Sequence, residues 1–170
     1  MTAGIVLAMH GVPPKDFPRN EMVELFGLHA RLDHPGGGPE HEELQQRHSE
    51  LEDKLRSWPR TPENDPYHAA SHDLAHHLRE ETGLQVYVGF NEFCGPSIEE
   101  AIDLAVESGV DRVIALTTMM TGGGEHSEKD IPSALKRARL KHHGVEIVYA
   151  WPFELPDIAK FLAAHIDRFK

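Results

Sequence analysis

The chain has 170 residues, 39% of them hydrophobic and 26% charged, which fits one globular domain with a core of its own. Its formal net charge of -11 excludes a broad basic face, and with it nucleic acid or an anionic membrane as the general partner. The single cysteine, Cys94, excludes an intramolecular disulfide framework and, with no long apolar span in the chain, predicts a cytoplasmic protein.

The first predicted element is a strand over 4–9, apolar without alternation and therefore suited to burial on both faces of a parallel sheet. The apolar run up to Met9 is too short for a signal peptide. His10 follows, then a loop stiffened by Pro13, Pro14 and Pro18 that also carries Gly11, Lys15 and Arg19. Between this strand and the next lies more chain than one crossover helix needs. Breakers at 33–39 and 58–62 divide it into three helical pieces, a helical insertion over about 20–83. The middle piece, 40–57, is charged, with apolar positions only at Leu44, Leu51 and Leu55; it predicts a solvated helix with one narrow buried seam, suited to a subunit contact. In the last piece His68, His72 and His76 recur at i, i+4, i+8, with His77 beside them. On a helix they share one face, read first as a polar stripe or interface and second as a metal chelate.

A second strand is predicted over 85–90, followed by a loop that carries Glu92 and Cys94, the latter a buried small apolar residue. Next comes the clearest helix, 98–108, with Ile98, Ala101, Ile102, Ala105 and Val106 on one face, a capping box from Ser97 and Glu100, and Gly109 as the stop. A third strand over 111–117 leads into a loop with Gly122, Gly123, Gly124 and His126, and then to a helix over 131–142 started by Ser127 or Asp130. His142 and His143 at its end favour the helix dipole. A fourth strand, 145–150, and a helix, 155–168, complete the pattern. Alternating strands and helices define an α/β three-layer sandwich around a four-stranded parallel sheet, a single domain over 1–170.

Open parallel sheets bind ligands at the carboxyl ends of their strands. His10, Glu92 and His126 each follow a strand, so two imidazoles and a carboxylate share one rim. That set suits a borderline divalent ion or proton transfer near neutral pH. Lys15 and Arg19 offer cations to an anionic ligand. The Gly122–Gly124 run can wrap a planar one, and the helix start behind it can hold a carboxylate. The run lacks the Gly-Lys-Ser/Thr ending of a Walker loop, so no nucleotide is expected.

With these loops assembled, the chain resembles the small class II tetrapyrrole chelatases, the sirohydrochlorin cobaltochelatase type related to ferrochelatase. The matching residues are His10-Gly11, Val88-Gly89-Phe90-Asn91-Glu92 with Pro96-Ser97-Ile98-Glu99-Glu100-Ala101, and Gly124-Glu125-His126 with Asp130-Ile131-Pro132. The resemblance implies a chelatase-like fold with extra helices between strands 1 and 2. It implies ATP-independent insertion of a divalent metal, Co2+ first and Ni2+ or Fe2+ next, into sirohydrochlorin or a related tetrapyrrole. His10 and His126 would serve as metal ligands and proton acceptors, with Glu92 aiding metal delivery or proton removal. It further implies a homodimer. Lys15, Arg19 and Lys129, with Gly122, Gly123 and Gly124, are the candidate substrate contacts. The alternatives are a noncatalytic metal or tetrapyrrole carrier on the same fold, or a chelatase of a different tetrapyrrole. Val12-Pro13-Pro14 after His10-Gly11, where many relatives carry Ser-Arg, is the clearest departure.

Overall fold

A computed structural model describes residues 2–32 and 36–170, so residues 33–35 of the first breaker lie outside the described residues. Four strands, β1 (Ala3–Met9), β2 (Gln85–Phe90), β3 (Arg112–Thr117) and β4 (Glu146–Tyr149), form one parallel sheet in the order β2-β1-β3-β4. β1 is central, paired from Gly4↔Gln85 to Met9↔Phe90 on one side and from Ala3↔Arg112 to Ala8↔Thr117 on the other. Its continuous apolar run is thereby explained: Val6 and Ala8 enter one core, Ile5, Leu7 and Met9 the other.

The first core lies under α4 (Ile98–Glu107) and α5 (Ile131–Lys141), where Ala101, Ile102, Ala105, Ala134, Leu135 and Ala138 pack on Val113, Ala115 and Ile147. Ser97 and Glu100 close the capping box as expected. Gly89 is required here, because a Cβ at that position would stand 2.8 Å from the Ile98 Cα, and the small residue lets α4 start directly against β2.

On the opposite face α3 (Pro66–Thr82) covers β2 through Ala75, over Val86, Val88 and Phe90. It does not cover the whole face. Ile114, Leu116 and Val148 on β3 and β4 are left half-buried. The last helix, α6 (Leu155–Ile166), buries none of its residues, and Leu155, Phe161, Leu162 and Ile166 are exposed.

The insertion forms three helices, as the breakers predict: α1 (Arg19–Leu32), α2 (Pro39–Arg56) and α3. Leu51 and Leu55 are the buried seam of α2, with Leu44 partly buried, but the seam does not make a subunit contact. It packs within the chain against Leu25 and Leu28 of α1 and against Phe17, because α1 lies antiparallel-close enough to consume it.

Candidate metal centre

Sheet pairing continues past the strand ends. The Asn91 N–H donates to the Met9 carbonyl and the Glu92 N–H to the His10 carbonyl, each at 2.9 Å. Gly11 makes this approach possible: its φ is +95°, and a Cβ there would lie 1.9 Å from the Glu92 carbonyl oxygen. Replacing Gly11 with Ala is therefore expected to force the two loops apart, costing about 1–3 kcal/mol from the backbone strain alone and weakening Co2+ binding; a variant with wild-type melting and metal titration would contradict this reading.

His126 arrives from the other side. After β3 the chain passes the glycines, whose turn is held by Glu128 accepting from the Gly123 N–H at 2.7 Å and by the Ser127 hydroxyl donating to the Gly124 carbonyl at 3.1 Å. Residues His126–Asp130 then form a π-helical turn that runs straight into α5. Asp130 stands at the start of α5, as the sequence predicts, but its side chain makes no capping hydrogen bond. The Asp130 carboxylate is instead 2.6 Å from His126 Nδ1. A carboxylate only accepts, so Nδ1 is the donor, and in the neutral ring the lone pair is then on Nε2. Asn91 Nδ2 donates to the same Asp130 oxygen at 3.3 Å; its 2.8 Å approach to Nδ1 is then proximity rather than a second hydrogen bond. The half-buried Tyr149 hydroxyl, whose pKa burial pushes up to about 12, donates to the Ser127 carbonyl and steadies the turn.

His10, Glu92 and His126 thus converge, each offering a ligand atom within 4.8 Å of the others. The two imidazoles meet edge to face, with ring centroids 4.5 Å apart. His10 Nδ1 is 2.7 Å from the Gly11 carbonyl, which takes its proton and leaves Nε2 as the acceptor. His126 Nε2 is 3.7 Å from Glu92 Oε1. Two imidazoles and a carboxylate fit a borderline divalent ion, and the same atoms can take up protons. Asp130→Asn is expected to lower metal affinity about 10–100-fold through loss of the His126 orientation, read by Co2+ titration; unchanged affinity would remove Asp130 from the centre.

The centre adjoins a cleft of about 470 Å³ whose walls are the insertion on one side and α4 and α5 on the other. Phe26, His29, His48 and Arg56 line it from the insertion, Arg137 from α5, and Glu92 and Phe93 from the loop between them. Sequence reasoning placed no cleft residue in the insertion. Lys15, Arg19 and Lys129 are exposed outside this lining, Lys15 donating to the Glu63 carbonyl and Lys129 paired with Glu125. Gly122, Gly123 and Gly124 are also exposed, in the turn before His126.

Arg60, read from sequence only as part of a breaker, ties these pieces together. Its side chain is buried, forms an ion pair with the fully buried Asp65 at 2.6 Å, and donates to the carbonyls of Val12, Leu55 and Phe93 at 2.9, 2.9 and 2.6 Å. Phe93 has a left-handed φ of 60° and its ring neighbours those of His10 and Phe26, at 6.5 and 6.3 Å. Cys94 is buried as expected, and burial raises its thiol pKa. On α3, burial lowers the pKa of His68 and His72, and the neighbouring His72 adds to the effect on His68.

A four-stranded parallel α/β sheet whose strand-end loops gather two imidazoles and a carboxylate beside a cleft places the chain in the chelatase-like fold class. The chain belongs to the CbiX family, whose model matches residues 63–168. It is 34% identical over 92 residues to a sirohydrochlorin cobaltochelatase of Sulfurisphaera tokodaii, covering 54% of this chain and 72% of that protein. It is 42% identical over 50 residues to a sirohydrochlorin cobaltochelatase of Methanopyrus kandleri, covering 29% of this chain. Over 82 residues, 48% of this chain, it is 28% identical to a sirohydrochlorin ferrochelatase of Priestia megaterium. The chain spans about a third of the length of the last two relatives, 34% and 30%. Its fold matches that of a putative cobalamin (vitamin B12) biosynthesis CbiX protein from Marinobacter aquaeolei, with a TM-score of 0.56 at 16% identity over 98% of this chain and 95% of that one. The α/β architecture expected from sequence is thereby borne out. No helix among the described residues is long and apolar enough to cross a membrane.

Proposed function

We propose that this chain is an ATP-independent chelatase of the cytoplasm that inserts Co2+, with Ni2+ or Fe2+ as further candidates, into sirohydrochlorin or a closely related tetrapyrrole. The observation that carries the reading is the convergence of His10, Glu92 and His126 at the edge of the cleft, with Asp130 behind His126. Insertion exchanges one M2+ for two ring N–H protons. His10 Nε2 and His126 Nε2 are both unprotonated in the tautomers their neighbours select, so each is able first to ligate the ion and then to accept a pyrrole proton. Glu92 beside His126 Nε2 is half-exposed and provides the exit for that proton to solvent. Arg56, paired with Glu52, and Arg137, paired with Glu99, are the cleft cations that substrate carboxylates would compete for, with Lys15, Arg19, Lys129 and the Gly122–Gly124 backbone as contacts at the periphery.

The test is an anaerobic absorbance assay with sirohydrochlorin in excess over protein and each metal in turn. Many metallated rings per chain are expected; one ring per chain, held and never released, would favour a carrier instead.

The same reading includes a homodimer. It is supported by two apolar surfaces left open among the described residues, the exposed α6 and the half-buried sheet face at Ile114 and Val148. Light scattering should give twice the chain mass, and Phe161→Asp should return it to the monomer; a monomeric wild-type protein would contradict the dimer.

A further inference from the structure

α3 carries a second histidine pair that the strand-end centre does not use. His68 and His72 are one helical turn apart, and their Nε2 atoms lie 3.3 Å from each other. Two imidazoles on one ion at about 2.0–2.1 Å, in near-tetrahedral geometry, hold their nitrogens about 3.3 Å apart. The helix presents the pair at the bite distance of a chelate.

Several contacts hold it there. Asp65 caps α3 by accepting from the His68 N–H at 2.9 Å. The His68 ring stacks on Phe90 at 5.2 Å and 17°, and the His72 ring lies 6.3 Å from the same ring. Ser71 and Ala75 are buried, which fixes the rotation of the helix on the sheet. Further along the row, His76 and His77 both approach Glu80, at 3.4 and 3.1 Å, and so are engaged elsewhere. Phe90 is the register partner of Met9, so the pair flanks the strand end from which His10 emerges. Neither residue lines the cleft or joins the His10, Glu92 and His126 cluster.

We propose that His68 and His72 form a second, exchangeable divalent-metal site that takes a borderline ion such as Co2+, Ni2+ or Zn2+ through both Nε2 atoms, with water completing its coordination. Two protein ligands and open positions make the ion easily released, and imidazole suits these ions above Mg2+ or Ca2+.

The test is calorimetric titration of tag-free, metal-free protein with Co2+, repeated with Ni2+, on wild type, H10A/H126A, H72Q and H10A/H126A/H72Q. His72 is exposed, and circular dichroism checks that each variant is folded. Two ions are expected on wild type, one on H10A/H126A and one on H72Q, and at least a tenfold loss of the remaining affinity in the combined variant. If the strand-end centre binds no ion alone, wild type should bind one ion that H72Q removes and H10A/H126A retains. A folded H10A/H126A protein that binds no ion, or one whose affinity H72Q leaves unchanged, would overturn the α3 site. Equal stoichiometry in wild type and H72Q would do the same.

Discussion

His126→Ala is expected to lower metal insertion by about 10²–10⁴-fold, the range over which a positioned general base contributes, while the protein keeps its fold. The substitution removes a ligand and a base at once. It also strands the Asp130 carboxylate, which then has only the Asn91 amide as a donor from this group. The fold should survive because His126 sits in a turn rather than a core, whereas the neighbouring Ser127 is buried and anchored by Tyr149. His126→Gln separates the two roles, since an amide can still touch a metal but takes no proton at neutral pH. It should retain more metal affinity than His126→Ala with no comparable recovery of rate. Steady-state absorbance measures the rate and titration the affinity; a His126→Ala enzyme within tenfold of wild type would leave the imidazole without a role in the reaction.

Arg60→Met is the second large effect, on stability. Methionine keeps much of the volume and leaves Asp65 as a buried charge without its partner, a loss worth about 3–5 kcal/mol. The carbonyls of Val12, Leu55 and Phe93 lose a donor in the same step. For a domain of this size the melting temperature should fall by roughly 6–20 °C, taking about 2–4 °C per kcal/mol. Because Val12 and Phe93 belong to the loops that hold His10 and Glu92, residual activity should fall further than stability alone requires. Urea unfolding that places Arg60→Met within about 1 kcal/mol of wild type would show that the insertion is held by its apolar seam alone.

These two residues mark where the sequence is legible and where it is not. His126 could be found because a strand, a loop and a helix leave a local trace, and the parallel-sheet rule carries strand ends to one rim. His10 and Glu92 follow by the same rule, and their adjacency needs only the β1–β2 register. The α4 capping box is legible for the same reason, being written within four residues. Arg60 has no such trace, since its partners Val12, Leu55, Phe93 and Asp65 meet only after three helices pack. Asp130 is legible as the residue that starts α5, but its side chain turns to His126 rather than capping the helix. Its four-residue spacing from His126 was the available signal, and the π turn brings the two together. The cleft wall made by Phe26, His29, His48 and Arg56 depends on how α1 and α2 sit beside α5, which periodicity within each helix does not encode. The α2 seam shows the complementary limit: the pattern identified what would be buried and missed that α1 would bury it.

In the proposed chelatase the ion to be inserted is held by His10, Glu92 and His126. Anomalous diffraction from crystals soaked in Co2+ measures this directly. A peak bonded to His10 Nε2 and His126 Nε2 at about 2.0–2.1 Å, next to the Glu92 carboxylate, is the predicted result, with or without a second peak at His68 and His72. A map with a cobalt peak elsewhere on the chain and none between His10 and His126 would contradict the account.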